Sequence, residues 1–423
     1  MLGKHVVWVW VAALAMPGAA RSQTVEELVR KAIENNRELL AMRQRVAEAR
    51  GLLRQAGVRP APALEIDGST GRLLGTRGEE EYSAGYSYPV ETFGKRDKRV
   101  RLARKAVELA EAELVERGRR LAFEVKTRYA EALAEQQRLA ALDRLLAVHR
   151  DSYRLTEARV QHGDAAPLES QLLLVELNRA EAQRATAAGR LEAALLDLRR
   201  LAGLTPSDGL VLAEGPDKLK LIPLAQLKQQ ALESRADLRV ARLLEEQGAA
   251  EVDLVEAQSR PDVTLSARYA RRSAEFEQFG LNASGVRVPI HDRDNILSLG
   301  VSVPLLTRNR NLGAIEAAGA RAAGARLRRE HLQAVIPLEV EAAWRRWEAA
   351  RRALETLDRG VVRQSEQNLE IMRQAYGLGQ LRMLDVLNEQ RRVIDTQMAH
   401  IEARLELARA LAELERAAGG ELR

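Results

Sequence analysis

The chain has 423 residues, no cysteine, a net charge of +6, and 30% charged against only 4% aromatic residues. Without cysteine there is no disulfide framework, no thiolate metal site and no lipid-bearing cysteine near the start. So few aromatics among so many charges fit long solvated helices better than a dense globular core, and the intermixed Arg and Glu, with no basic block interleaved with aromatics, give no support to nucleic-acid binding.

The first residues read as an address. Lys4 and His5 precede an apolar run from Val6 to Met16, and Pro17, Gly18, Ala19 and Ala20 supply a breaker and small residues before polar sequence begins at Arg21. This predicts a secretory signal peptide over residues 1–22, cut after Ala20 or Ser22. The run is too short to span a bilayer, and no other stretch approaches the ~20 apolar residues a spanning helix needs. An exported chain of this kind crosses a membrane only as a barrel.

Residues 62–90 read as a β-hairpin. Leu64, Ile66 and Gly68 alternate with Glu65, Asp67 and Ser69, and Ala84, Tyr86, Tyr88 and Val90 alternate with Ser83, Gly85, Ser87 and Pro89. A proline-free helix is predicted over 95–161, on the order of 100 Å long at 1.5 Å per residue. After a tight turn containing Gly163, a second helix returns over 167–202, with Leu172, Val175 and Leu191 on its apolar side. Residues 206–223 read as a linker between two repeats, 23–205 and 224–423.

The second repeat restates the first. Arg260-Pro261 answers Arg59-Pro60, Ser298 to Pro304 answers Ser83 to Pro89, and Gly379 with Leu384-Asp385 answers Gly163 with Leu168-Glu169. A duplication of this length constrains the fold more than any single residue. Its hairpin is predicted over 262–305: Val263, Leu265, Ala267 and Tyr269 alternate with Thr264, Ser266 and Arg268, and Leu297, Leu299, Val301, Val303 and Leu305 alternate with Ser298, Gly300, Ser302 and Pro304. A long loop is expected between Phe276 and Asn295. Helices follow over 312–376, with a kink or discontinuity expected at Pro337, and over 383–418.

Strict alternation over about nine residues matches a barrel strand with a lipid face and a wet lumen face, and fits a soluble half-buried sheet equally well. Strand number favours the barrel: four strands cannot close one, but three chains supply twelve. On this reading Tyr86, Tyr88, Leu299, Val301 and Val303 face lipid, and Tyr82, Tyr86 and Tyr88 belong to an interfacial aromatic belt or to ordinary cross-strand packing. The fold class is mainly α with a small transmembrane β part, built from duplicated strand hairpins and long helix pairs.

Chemistry finds little foothold. His162 with Asp164, and His291 with Asp292 and Asp294, each offer one imidazole where a metal site needs three or four convergent ligands. There is no phosphate-cradling Gly loop, no Gly-x-Ser-x-Gly elbow and no His-Glu-x-x-His. No enzyme activity, cofactor or resident metal is expected.

These features carry a resemblance. The duplication, the strand end Gly300 to Leu305, Arg308-Asn309-Arg310, and Tyr376-Gly377-Leu378-Gly379 running into Leu384-Asp385-Val386-Leu387 resemble the outer membrane efflux protein family, the TolC-like exit ducts, over essentially the whole mature chain. Pro304 to Asn309 leans toward the heavy-metal cation, CzcC-like branch. The resemblance implies a homotrimer in the cell outer membrane, extending into the periplasm, in which a twelve-stranded barrel is continuous with a twelve-helix tunnel. It implies a periplasmic adaptor and an inner-membrane pump of the RND type as partners, outer-membrane lipid around the barrel, and passive conduction of metal cations or small toxic molecules.

It also implies a gate at the helix tips, near 161–167 and 377–383, with Gly163, Asp164, Gly377 and Gly379 in the turns that meet the adaptor. Asp385 occupies the family's acidic ring, Glu169 is its possible supplement, and Asn388 stands where a second carboxylate is often found. A ring of carboxylates at a narrow aperture favours cations; a plain first-turn helix acid, stabilising the dipole by about 0.3–1 kcal/mol, is the other reading of Asp385. A periplasmic adaptor or a long-helix scaffold without a channel is the rival function, and the duplicated strand hairpins argue against both.

Overall fold

The computed structural model describes residues 23–71, 73, 79–206, 208–213, 223–305 and 311–422. The signal peptide expected over 1–22, the Arg308-Asn309-Arg310 motif and most of the 206–223 linker lie outside the described residues. In chain order the elements are α1 (Val25–Asn35), α2 (Arg37–Ala56), β1 (Ala63–Thr70), β2 (Glu79–Val90), α3 (Lys95–Gln161), α4 (Pro167–Ala202), α5 (Leu224–Ser234), α6 (Ala236–Gln258), β3 (Val263–Leu281), β4 (Arg287–Ser302), α7 (Leu312–Asp358), α8 (Val361–Gly377) and α9 (Met383–Ala418). The order helix, helix, strand, strand, long helix, helix runs through twice, the second time with its long helix in two pieces.

Three expectations need correction. Each hairpin is preceded by a helix pair, α1–α2 and α5–α6, that the sequence reading omitted. The first pair was signalled by Thr24 and Glu27, which form a capping box in which the Glu27 N–H donates to Thr24 Oγ1 and the Thr24 N–H to Glu27 Oε2.

The expected long loop between Phe276 and Asn295 is strand. β3 and β4 pair from Thr264↔Ser302 out to Leu281↔Arg287, with one irregularity between Phe276 and Phe279, so His291, Asp292 and Asp294 lie on β4. Ladder hydrogen bonds need only backbone, and pairing continues where the apolar alternation stops. The turn is Asn282 to Val286, closed by Asn282 Oδ1 accepting from the N–H groups of Ser284 and Val286.

The discontinuity in the second long helix lies at Gly360 rather than at Pro337. α7 continues through Pro337, with Ile336 and Val340 wholly buried on either side. Gly360 has φ 123°, a conformation closed to side chains with a Cβ, and its carbonyl accepts the Gln364 N–H at 2.7 Å to start α8.

The chain folds as two compact units that cut across the repeats. Among the described residues, the first comprises 23–40, 117–234 and 336–422. Its core holds Leu28, Leu121, Val125, Leu198, Leu227, Ile336 and Val340, and a further cluster joins Ala130, Ala134 and Ala141 of α3 to Ile401 and Leu405 of α9. On α4 the buried positions include Leu173, Ala180 and Ala187 at heptad spacing, whereas Val175, expected on the apolar side, is exposed. The small side chains of Ala180 and Ala187 let neighbouring helices approach closely. Across the same core, Lys126 of α3 meets Glu415 of α9 at 2.6 Å.

The second unit comprises residues 41–116 and 235–335. It holds one antiparallel sheet in the order β1-β2-β3-β4; β2 pairs with β3 from Val90↔Val263 to Glu79↔Ala274, joining the two hairpins. Helices meet one end of the sheet, where Lys95 Nζ donates to the Arg260 carbonyl at 2.7 Å and reaches Asp262 at 2.8 Å. Arg99 there binds Glu91 at 2.5 Å and the carbonyls of Ala56 and Val58. α6 and α7 approach closely at Gly248, where an added Cβ would stand 3.0 Å from Ala322 Cα.

Candidate functional site

The sheet has one apolar and one polar face, the apolar one uncovered. Because direct partners share a side, the registers bring Leu64 and Ile66 together with Tyr82, Ala84, Tyr86 and Tyr88, with Leu265, Ala267 and Tyr269, and with Leu297, Leu299 and Val301. Leu64, Ile66, Leu297, Leu299 and Val301 are between 69% and 80% exposed, while Ser83 on the other face is buried, as is Gly85. Leaving five such side chains in water forfeits on the order of 10 kcal/mol, comparable with the whole stability of a domain. The predicted lipid-facing residues Tyr86, Tyr88, Leu299 and Val301 therefore share one surface; Val303 follows the end of β4 and is exposed.

The polar face is laced with ions. Arg268 passes over Gly85, where an added Cβ would lie 3.6 Å from its Nε, to reach Asp67 at 2.7 Å, and Arg272 binds Glu81 at 3.0 Å. On the apolar face the ring of Tyr82 lies against Gly68, an aromatic covering a strand glycine.

At the other candidate site, in the first unit, the two helix turns are built alike. Just past the end of α3 stands Gly163, φ 82°, and just past the end of α8 stands Gly379, φ 74°. The N–H groups of Asp164 and Gly163 donate back to the carbonyls of Arg159 and Val160, and those of Gln380 and Gly379 to Ala375 and Tyr376; both are Schellman closures. Gly377 is the last residue of α8 and keeps helical backbone, and Asp164 is exposed.

The predicted acids differ in setting. Asp385 is half-buried, and its Oδ2 accepts the Arg382 N–H at 3.2 Å, so it caps the start of its own helix. Asn388, one turn on, is exposed. Glu169 instead joins the two repeats: Tyr376 Oη donates to its Oε2 at 2.8 Å, and the Arg159 guanidinium lies 5.3 Å from the Tyr376 ring centre. Burial, then the neighbouring Glu169 carboxylate, raises the Tyr376 phenol above its ordinary value, so the donor keeps its proton at neutral pH. Beneath this contact Leu173, Met383, Val386 and Leu387 form a buried cluster with Tyr153 and Leu369 packed against it.

Sequence reasoning quoted Tyr376 only as part of a motif and missed Arg159. It also missed His149, buried beside a cavity of about 110 Å³ lined by Glu176, Gln390 and Arg391. Burial holds the His149 imidazole below its usual value; Glu176 opposes this, and Arg373 and Arg391 reinforce it. Glu176 and Arg391 form an ion pair between α4 and α9. No group of three or more acidic, His or Cys side chains able to hold a metal occurs among the described residues, and no described helix is long and apolar enough to cross a membrane.

The described fold thus holds an uncovered apolar strand face in one unit and helices that return through matched turns in the other. Residues 28–204 and 227–420 match the family described as outer membrane efflux protein, and the chain belongs to that family. It is 26% identical over 387 residues, 90% of this chain and 87% of the relative, to the cobalt-zinc-cadmium resistance protein CzcC of Cupriavidus metallidurans. The fold is shared with CusC, at TM-score 0.75 and 20% identity over 95% of this chain and 93% of that one. It is shared too with the outer membrane protein VceC of Vibrio cholerae, at TM-score 0.71 and 22% identity over 94% and 97%. The family is one of efflux channels rather than enzymes.

Proposed function

We propose that the protein is the outer-membrane exit duct of a tripartite efflux system. Three copies close a twelve-stranded barrel through the free edges of β1 and β4 and carry their helices into the periplasm as a tunnel. The observation that carries this reading is the uncovered apolar sheet face, which only a nonpolar surrounding stabilises. Substrates diffuse down the bore without a catalytic step. The likeness to a cobalt-zinc-cadmium resistance protein supports divalent heavy-metal cations as cargo. A periplasmic adaptor meets the turns at Gly163, Asp164, Gly377 and Gly379, and an RND-type pump supplies the substrate.

Within this reading the Tyr376–Glu169 hydrogen bond ties the tips shut, and Asp385 contributes a threefold carboxylate ring that favours cations. Two measurements test the proposal. Light scattering on detergent-extracted protein should give a trimer; a detergent-independent monomer overturns the duct. In planar bilayers Asp385→Ala should lower cation preference, and unchanged ion selectivity removes Asp385 from the aperture.

A further inference from the structure

Four arginines stand in the middle of β3 and β4, two on each face of the sheet, and their settings differ. On the polar face Arg268 and Arg272 are both neutralised, by Asp67 and by Glu81. On the apolar face Arg271 pairs with Tyr82 and Asn295, and Arg293 with Ser273. Arg271 and Arg293 are thus diagonal cross-strand neighbours, about 7–8 Å apart at the backbone. Both are exposed, and neither has a carboxylate partner among the described residues, although Glu80 and Glu275 share this face. Two like charges side by side on one face repel. Although Glu80 stands diagonal to Arg271 and Glu275 to Arg293, neither carboxylate is within ion-pairing distance of these arginines, so the pair is open to an anion from outside the chain.

Their height says which anion. The helices join the sheet at Ala63, Val90, Val263 and Ser302, and from Val263 the apolar face runs to Tyr269 and Leu297, about 20 Å along the strand. The next rung away from the helices carries Arg271, the one beyond it Arg293. The apolar band of an outer-membrane barrel is about 25 Å tall and closed by aromatic girdles; here Tyr82 and Tyr269 supply aromatics at the same edge, Tyr269 Oη binding Asn295 at 2.8 Å. The arginines therefore stand at the headgroup level of the leaflet opposite the helices.

We propose that Arg271 and Arg293 bind the phosphate of a lipid A-type headgroup in the outer leaflet. This rests on the barrel reading above. Guanidinium forks match phosphate oxygens in paired hydrogen bonds, and a site between two strands of one protomer is present three times in a trimer.

The test is native mass spectrometry of the detergent-solubilised full-length protein. It is offered lipid A carrying both phosphates, or the same acylated disaccharide with the phosphates removed. Each basic residue at an anionic surface contributes roughly fivefold, so R271Q/R293Q should retain phosphorylated lipid A about thirtyfold less than the unaltered protein. R271Q and R293Q singly should lose about fivefold each and carry the test if the double variant does not fold. Dephosphorylated lipid A should not separate the proteins. Equal retention by folded variants, or indifference to the phosphates, overturns the site. Flotation of the unaltered protein with phospholipid vesicles is scored separately, because failure there overturns the barrel itself.

Discussion

Replacing Tyr376 with phenylalanine removes one hydroxyl from the tips and leaves the ring, the Arg159 contact and the packing on Leu173 in place. What disappears is the 2.8 Å bond to Glu169, together with the hydrogen bond between the same hydroxyl and buried Thr156. A hydrogen bond to a charged acceptor contributes about 1.5–3 kcal/mol, and Glu169 is half-exposed, so the lower end, about 1.5 kcal/mol, applies. That is roughly tenfold in the equilibrium between tied and untied tips. If three copies open together, the shift compounds to about a thousandfold. Single-channel recording in planar bilayers reads this as open probability, and a cycle with Glu169→Ala, which removes the acceptor, identifies the cause: when the bond is what matters, the double variant opens no more than either single one. A folded trimer of Tyr376→Phe with unaltered open probability, or two additive substitutions, would refute a latch at this contact.

Other consequences can be measured on the same protein. Leu299→Arg places a charge on the uncovered face and should weaken folding into vesicles by about 2–4 kcal/mol if that face meets lipid near mid-bilayer; Ser298→Arg, one residue away on the polar face, should cost far less, and equal losses in denaturant titration would contradict the assignment of faces. Gly203→Ala should destabilise far more than Gly163→Ala, as thermal melting reads it. Both glycines are left-handed, at about 1–2 kcal/mol for any other residue, but only at Gly203 would the Cβ come within 2.8 Å of the Asn35 carbonyl oxygen. His149 sets a pH dependence. Its folded value lies below the unfolded one near 6.5, so its contribution is complete above pH 6.5 and is lost as pH falls through the folded value, by up to about 2 kcal/mol at pH 5 if the ring stays neutral. His149→Gln should flatten that part of the stability profile, and an unchanged acid slope would assign it to other groups.

Alternation along β1, β2 and the parts of β3 and β4 nearer the helices was legible from the chain alone, because side chains on a strand alternate whatever surrounds them, whereas the outer parts of β3 and β4 read as loop. Legible too were the turns at Gly163 and Gly379, where a left-handed residue must end a helix that is followed by another. Helix α3 was legible to its ends for the same local reason: good helix formers run without proline from Lys95 to Gln161. Tertiary structure decided what depends on partners distant in sequence. Which side chains stack side by side on one face is fixed by the β2–β3 pairing, and period-2 alternation alone does not reveal it. Pro337 allows a kink or a discontinuity, and the helix is continuous there, with Ile336 and Val340 buried on either side. Gly360 breaks the helix because its backbone takes a conformation that a residue name permits and does not require. Glu169 and Asp385 occupy matching places in the two repeats, yet one accepts from Tyr376 across the repeats and the other caps its own helix, a difference set by which side chains the packed tips bring within hydrogen-bond reach.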